Sequence, residues 1–338
     1  MQILWSEEFS RIHNPDFVYK LQEREQQTYP ENIQRVLYTD FGVLSHNSNL
    51  RIINSNEIHL QAEKLINLCC EKEYTDWLYK KAKGLKEKEI YCSNNKKFLK
   101  DEITPITRDV PRIILLATSL GINAVDKLIS KDDFNFYVCC RPPGHHASRN
   151  FGGGFCYVNN VSISIEYLLM RKKEYQRIGI LDLDLHLGNG TIDFFNKNNK
   201  VRYYSMHMDP SICYPFYDKT YQEQLYGNNP NIELQVLEKG CNQDEYLKEL
   251  DKLIEKIDFF KPEILFLSMG YDTHKDDPCR GFLLRSESYE LIAKKIYSHF
   301  RIPIISFHEG GYNYSQTQAS FERFIQGAVE CEVAKAIR

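Results

Sequence analysis

The chain has 338 residues, of which 42% are hydrophobic and 26% charged, which is the balance of an ordinary folded protein. Its formal net charge of -3 provides no bulk attraction to nucleic acid or to an anionic membrane, so we expect neither as a direct partner. The first residues lack the basic and apolar regions of a signal peptide, and no apolar run approaches the roughly 18 residues of a membrane span. The ten cysteines lie on apolar segments without a framework spacing, which favours reduced thiols in an intracellular protein, cytoplasmic or, in a eukaryote, nuclear.

Strands and helices alternate along most of the chain. Residues 1 to 110 are polar and weakly periodic, and the hydrophilic stretch from 85 to 102 is expected to be a surface loop. An amphipathic helix is predicted over 111–130, starting at Pro111, with further helices near 156–170, 243–258 and 286–300. Short apolar strands are predicted in "FNFYVCC", "RIGILDLDLH", "VRYYSMH", "PEILFLSMGYD" and "IPIISFHEGGY". With no repeat or linker, this pattern predicts a single α/β domain over 1–338, built on a mostly parallel sheet flanked by helices.

Polar residues are concentrated where these strands end, the edge at which open parallel sheets bind ligands. In "LDLDLHLGNGT", Asp184 and His186 are two residues apart on the predicted strand and therefore point the same way, and Asp272 ends another strand. Two carboxylates and one imidazole leave a coordination position open, which is typical of a catalytic metal site. For the Asp-x-His pair alone, a buried hydrogen-bonded couple is the alternative.

The adjacent histidines His145 and His146 fit proton transfer beside such a metal, although a single histidine is more often a satisfied polar group. Asp182 and Asn189 are the available partners for the two rings. Because a carboxylate partner favours the imidazolium and an amide does not, the two histidines should differ in pKa.

Two glycine-rich segments complete the candidate site. In "HEGGY", the glycines allow a sharp turn that projects Tyr312, whose phenol can donate to a developing oxyanion; a tyrosine packed in a loop is the alternative. "FGGGFCY" can bring backbone and Phe155 close to a substrate, or it is simply a flexible loop. Phe155 and Tyr214 can form the walls of a narrow slot for an aliphatic chain.

Taken together, the motifs resemble the histone deacetylase family, the arginase-like zinc amidohydrolases. The matching segments are "RPPGHHA", "GGFCYVNN", "GILDLDLHLGNGT", "YYSMH", "NIELQVLEKGCNQDEY", "GYDTHKDDP" and "EGGY", in family order over roughly residues 100 to 315. "TYPENIQRV" is similar to the family's amino-terminal His-Pro-Glu segment, with Tyr in place of His. The resemblance implies the arginase/deacetylase fold with zinc at the carboxyl edge of the sheet.

The resemblance also implies roles for individual residues. The zinc ligands would be Asp184, His186 and Asp272, and a structural potassium would be held by Asp182, Asp184, His186, Ser205 and Met206. His146 would act as general base and then general acid, beside His145 with its partner Asp182, while Asn189 would be the partner of His146. Tyr312 would polarise the amide carbonyl. Gly154, Phe155 and Tyr214 would form the substrate tunnel, and Phe195, Asn198 and Val201 resemble part of a second potassium site.

Several positions depart from the common pattern. Asn189 and Glu309 both indicate a class II-like member, and Leu187 replaces a second histidine that is not a ligand. "YPFYDKT" lacks the usual Gly-Thr-Gly after Tyr-Pro, which leaves that rim loop undefined. Cys279 stands where lysine deacetylases often have Leu and polyamine deacetylases Glu, so we expect a substrate-lining residue that disfavours polyamines and admits acyl groups larger than acetyl.

The expected activity is zinc-dependent hydrolysis of acetyl-lysine in histone or other proteins, inhibited by hydroxamates. An acetylpolyamine or small-amide amidohydrolase and a longer-chain lysine deacylase are the nearest alternatives, and an inactive binding module with the same fold is a remote one. An arginase-type site would need a further aspartate two residues after His186, where this chain has Gly188. The protein substrate and the oligomeric state are not indicated by the sequence.

Overall fold

The computed structural model describes residues 1–12, 18–19, 27–28, 30–31, 35, 50–92, 97–227 and 229–336. The strands are β1 (Gln2–Trp5), β2 (Val18–Tyr19), β3 (Gln27–Thr28), β4 (Arg51–Asn54), β5 (Asn135–Val138), β6 (Ile178–Asp182), β7 (Val201–Met208), β8 (Ile232–Leu237), β9 (Ile264–Met269) and β10 (Ile304–His308). Eight of them form one sheet in the order β4-β1-β5-β10-β9-β6-β7-β8, and every neighbouring pair is parallel. The predicted α/β fold with a parallel sheet is confirmed. β2 and β3 pair with each other in antiparallel fashion.

The helices are α1 (Ala62–Cys69), α2 (Lys72–Gly84), α3 (Val110–Ile129), α4 (Asn160–Arg171), α5 (Asn189–Phe195), α6 (Lys219–Tyr226), α7 (Gln243–Phe260), α8 (Ser286–His299) and α9 (Tyr314–Ala336). The four predicted helices correspond to α3, α4, α7 and α8. A capping box between Asn242 and Glu245 fixes the start of α7. In the described part of the chain, every helix is too short or too polar to cross a membrane.

The first hundred residues contribute more to the sheet than their weak periodicity indicated. β1 lies between β4 and β5, and its Ile3 and Leu4 are fully buried. Four-residue strands are too short to show a clear period, which is why both β1 and β4 were missed. The hydrophilic stretch from 85 to 102 forms no helix or strand in its described part, but Phe98 and Leu99 are buried, so it is anchored to the core and is not wholly a surface loop.

The apolar core lies on both faces of the sheet, in two clusters. Leu181, Leu183 and Leu185 belong to one cluster, whereas Leu187 belongs to the other. All four leucines are fully buried, although only Leu181 lies within β6. The chain therefore crosses from one face to the other just where the polar residues of the "LDLDLHLGNGT" segment occur.

Candidate active site

The strand that carries this segment ends earlier than predicted. β6 stops at Asp182, so Asp184 and His186 lie in bends beyond it rather than on the strand. After Leu183 the backbone N–H groups donate to carboxylates: Leu185 N to Asp272 Oδ1 at 3.0 Å and His186 N to Asp184 Oδ1 at 2.9 Å. Because side-chain oxygens replace the neighbouring strand as acceptors, the carboxylates both end the strand and fix their own positions.

The three predicted ligands converge as expected. His186 Nδ1 lies 3.1 Å from Asp184 Oδ1 and 3.0 Å from Asp272 Oδ2. Both aspartates are fully buried, and among the described residues Asp272 Oδ2 has no other donor than the ring nitrogen of His186. Two buried carboxylates that share a single imidazole are costly unless further positive charge compensates them, and a cation does so. The donor set of two carboxylates and one imidazole therefore fits a divalent metal such as zinc.

The same residues have strongly shifted pKa values. Burial alone would raise the pKa of Asp184, but the neighbouring His145 and His186 hold it well below its usual range. For His186, burial is outweighed by the hydrogen bonds that its ring donates to the two aspartates, which raise its pKa. Burial and the Asp184 carboxylate raise the pKa of Asp272 to about 7. These are the shifts of charges crowded into a dry site, where a bound cation would relieve the repulsion between carboxylates.

His145 is held by a carboxylate, as predicted. Its Nδ1 lies 3.1 Å from Asp182 Oδ2, which also accepts from the Tyr203 hydroxyl at 2.8 Å. Burial alone would lower the pKa of His145, but the Asp184 and Asp182 carboxylates reverse this effect and raise the pKa to about 10. The two carboxylates therefore favour the imidazolium form of His145.

His146 is held by an amide. Its Nδ1 lies 2.8 Å from Asn189 Oδ1, and the amide is oriented by a bond from Asn189 Nδ2 to the Tyr217 hydroxyl at 3.2 Å. Since the amide oxygen only accepts, Nδ1 carries the proton and Nε2 is free to take another. Burial and the nearby His145 and His186 hold the pKa of His146 well below its usual range. The two pKa values thus differ in the predicted direction.

Glu309 anchors the loop that carries the paired histidines, a role that the sequence did not reveal. Its Oε2 accepts from the backbone N–H groups of Gly144 at 2.7 Å and His145 at 3.2 Å. The carboxyl group is almost fully buried, and burial raises its pKa to about 7. Its chain position directly after β10 could have indicated a site residue.

Tyr312 is positioned from two sides. Its backbone N–H donates to Asp277 Oδ2 at 2.7 Å, and Asn313 N donates to the same oxygen at 3.1 Å. Arg35 lies over the ring, with its guanidinium carbon 5.2 Å from the ring centroid, and donates to the Gly311 carbonyl at 3.0 Å. Burial raises the pKa of the Tyr312 phenol, so it remains a protonated donor.

Two described residues of the amino-terminal "TYPENIQRV" segment, Glu31 and Arg35, take part in a buried ion network beside this site. Glu31 receives two hydrogen bonds from the Arg141 guanidinium, at 2.9 and 3.0 Å, and one from Arg35 at 3.2 Å. All three side chains are buried. Tyr29, the predicted replacement for histidine, lies outside the described residues. The sequence pattern singled out this segment, but it did not predict that Glu31 binds Arg35 and Arg141.

The predicted tunnel residues contact the predicted catalytic ones. The Phe155 ring lies edge-on to Tyr312 with centroids 5.4 Å apart, and Tyr214 lies edge-on to His146 at 4.6 Å. Gly154 has φ +53, and a Cβ there would lie 2.4 Å from His146 Cδ2, so a side chain has no room. Asp101 Oδ2 accepts from Gly154 N at 2.6 Å and so helps to fix this loop. The sequence did not indicate this role of Asp101.

Cys279 was predicted to line the substrate site, and it lies beside two of the predicted metal ligands, His186 and Asp272. One ligand atom each from His186, Asp272 and Cys279 lie within 4.8 Å of one another. The thiol is partly buried, and burial raises its pKa.

The predicted potassium residues occupy two places. Ser205 lies opposite Asp182 in the β6–β7 register, with Met206 next to it, and the Ser205 hydroxyl hydrogen-bonds with His207 Nδ1 at 2.8 Å. Phe195 ends α5, Asn198 lies in the turn that follows and Val201 begins β7, and they are linked by Asn198 N to Phe195 O at 2.9 Å and Val201 N to Asn198 O at 3.2 Å. No contact of these residues identifies a cation, so both sites stay predictions.

The chain matches known proteins along most of its length. Residues 2–328 match the model of the histone deacetylase domain. Acetylpolyamine amidohydrolase 1 of Pseudomonas aeruginosa is 31% identical over 67% of this chain and 65% of its own length. Histone deacetylase 6 of Caenorhabditis elegans is 29% identical over 90% of this chain but 32% of its own length. The chain thus spans between about a third and two thirds of the length of these two curated relatives.

Solved structures share the fold. An acetylpolyamine aminohydrolase from Burkholderia pseudomallei superposes with a TM-score of 0.82 at 22% identity, covering 97% of this chain and 98% of that one. The HD domain of HDA15 gives a TM-score of 0.79 at 20% identity, covering 97% and 88%.

Proposed function

Because the chain belongs to the histone deacetylase family of hydrolases, we propose that it is a zinc-dependent deacetylase that hydrolyses acetyl-lysine in proteins. The observation that carries the proposal is the convergence of Asp184 and Asp272 on His186, within 3.1 Å, beside two histidines whose pKa values are shifted in opposite directions. Amide hydrolysis needs an electrophile for the carbonyl, a base for water and an acid for the leaving amine, and this arrangement offers all three.

Asp184, His186 and Asp272 would hold the metal. When bound, such a metal polarises the amide carbonyl and makes a water molecule more acidic. The two buried carboxylates that face a single imidazole support this assignment, because their charges need further compensation. Structural potassium ions at the Ser205 and Phe195 positions remain part of the proposal.

His146 is the residue proposed to move the proton. Its Nδ1 is fixed as a donor to Asn189, so Nε2 accepts the proton of the attacking water. The same nitrogen then donates that proton to the leaving lysine amine. His145, held as an imidazolium by Asp182, favours a neutral His146 before the reaction, because two adjacent positive charges repel.

Tyr312 is proposed to stabilise the oxyanion. Its phenol stays protonated and its backbone is held by Asp277, so the hydroxyl can donate without reorganisation. Gly154 and Phe155 belong to the glycine-rich loop and are proposed to line the substrate tunnel. Phe155 and Tyr214 would form its aromatic wall along the lysine methylenes. Phe155 touches Tyr312 and Tyr214 touches His146, so the wall would lead the amide to the proposed catalytic groups.

Hydrolysis of acetylpolyamines is the second candidate, favoured by curated relatives of that name, among them the Pseudomonas aeruginosa protein. A polyamine carries a second ammonium, which a carboxylate would recognise, whereas Cys279 presents a thiol near the ligands. A small residue there also leaves room for longer acyl chains on lysine.

Rates of hydrolysis separate these candidates. The full chain, loaded with zinc, is assayed on an acetyl-lysine peptide, a crotonyl-lysine peptide and acetylspermidine, with Cys279→Glu as the matched variant. We expect the parent to prefer the lysine peptides and Cys279→Glu to shift preference toward acetylspermidine. A parent with higher kcat/KM on acetylspermidine would refute the lysine assignment, and no hydrolysis of any substrate would favour an inactive binding module. A strict preference for acetyl over crotonyl would reject the longer-acyl hypothesis.

A further inference from the structure

Cys279 brings a sulfur atom to the proposed metal site. Its Sγ, a nitrogen of His186 and a carboxylate oxygen of Asp272 lie within 4.8 Å of one another. Ligand atoms around a zinc ion are separated by comparable distances, since each lies about 2.0 to 2.3 Å from the metal. Of the ten cysteines, all of them in the described part of the chain and none in a disulfide, Cys279 is the one in such a group.

An independent feature also points to a cation at this place. Asp272 is fully buried, and among the described residues its Oδ2 faces only the ring nitrogen of His186, at 3.0 Å, whereas Oδ1 accepts from Leu185 N. Gly310 leaves this oxygen uncovered, because a Cβ at that residue would lie 2.3 Å from Asp272 Oδ2. Asp272 and Cys279 thus belong to the same small group of possible metal ligands.

The loop that carries Cys279 is fixed by the residue that also fixes Tyr312. Asp277 Oδ1 accepts from Cys279 N at 2.9 Å, while Asp277 Oδ2 accepts from Tyr312 N at 2.7 Å. Asp277 is almost fully buried, and Arg280, just after the cysteine, has φ +50. The thiol is therefore held in place by a buried carboxylate rather than carried on a free surface loop.

We propose that Cys279 is a fourth protein ligand of the metal when no substrate is bound, completing a set of two carboxylates, one imidazole and one thiolate. On ligation the thiol releases its proton to solvent, and a substrate that enters replaces the sulfur, which is then protonated again. Because thiolate ligands favour zinc, cobalt and cadmium over magnesium and manganese, Cys279 also biases the metal choice. This inference rests on the metal site of the proposed function.

Cobalt spectroscopy separates the two proposals. The metal-free full chain is titrated with Co²⁺ without oxygen, as the parent, as Cys279→Ser and as Cys331→Ser. Cys331 is the matched control because its thiol donates to the Lys294 carbonyl, away from the ligand group. Visible d–d bands report cobalt in the site, whereas a near-ultraviolet sulfur-to-cobalt charge-transfer band reports a thiolate ligand.

We expect both kinds of band in the parent and in Cys331→Ser, and only the visible bands in Cys279→Ser. Visible bands without charge transfer in the parent would reject the thiolate and leave the metal site intact. If the parent shows neither kind of band, both the metal site and the thiolate ligand are rejected. A charge-transfer band that survives in Cys279→Ser would show that the sulfur ligand is another residue and would reject the proposal.

A second measurement needs no variant. The parent is alkylated with iodoacetamide with and without Co²⁺, and the modified peptides are identified by mass spectrometry. We expect cobalt to protect Cys279 at least tenfold and to leave the labelling of exposed Cys92 unchanged. Equal labelling of Cys279 in both conditions would contradict ligation.

Discussion

Replacing Gly188 by alanine should destabilise the protein by about 3 to 5 kcal/mol, because the turn has no space for a Cβ. An added Cβ would lie 2.3 Å from Asp182 Oδ2 and 2.5 Å from the Tyr203 hydroxyl. Overpacking a dense interior costs about 1 to 3 kcal/mol. Displacing the Asp182 carboxylate also weakens its hydrogen bond to Tyr203, and hydrogen bonds to charged groups contribute about 1.5 to 3 kcal/mol. His145 loses its partner at the same time, so kcat should fall by about tenfold or more.

Urea unfolding followed by circular dichroism measures the stability change, and an unchanged m-value would show that the comparison is valid. Gly84→Ala is the matched control, since a Cβ at that helix end meets nothing within 4 Å, and we expect it to change stability by less than about 1 kcal/mol. If Gly188→Ala were also within about 1 kcal/mol of the parent, Asp182 would have room to move and the proposed tight support of His145 would be wrong.

The remaining predictions address the oxyanion donor, the metal and the loop that carries Tyr312. Tyr312→Phe should lower kcat by about 10²-fold with little change in KM, and an unchanged kcat in steady-state assays would remove the phenol from the mechanism. Asp272→Asn should lose bound zinc on dialysis, measured by elemental analysis, whereas the parent keeps about one zinc per chain; equal zinc content would contradict the ligand assignment. Asp277→Asn should destabilise the protein by about 1 to 3 kcal/mol in urea unfolding, because the amide loses acceptor strength toward the Tyr312 and Asn313 N–H groups. No loss of stability would show that this carboxylate is dispensable.

The sequence predicted well those parts of the molecule that depend on local pattern. Asp184, His186 and Asp272 follow strands of a parallel sheet, so their meeting at one edge follows from topology alone. The different surroundings of His145 and His146 likewise followed from the chemistry of a carboxylate and an amide.

The parts that the sequence did not predict depend on contacts between distant segments. Glu309 binds the histidine loop 165 residues earlier in the chain, and Arg35 contacts the Gly311 carbonyl 276 residues away. Neither contact leaves a periodic signal. The end of β6 at Asp182 was missed for the same reason, because the carboxylate that takes the Leu185 N–H belongs to Asp272.

The strand order has a consequence for how the polypeptide matures during synthesis. β10, the last strand made, lies between β5 and β9, so it alone joins the β4-β1-β5 part of the described sheet to the β9-β6-β7-β8 part. Until the ribosome has released residues 304–308, the strands of the two parts share no backbone hydrogen bonds, and each part exposes an unpaired apolar edge. Glu309 and Tyr312 follow directly, so the segment that closes the sheet also delivers the last proposed catalytic group. A chain that ends prematurely before β10 is therefore a candidate for aggregation rather than a less active enzyme.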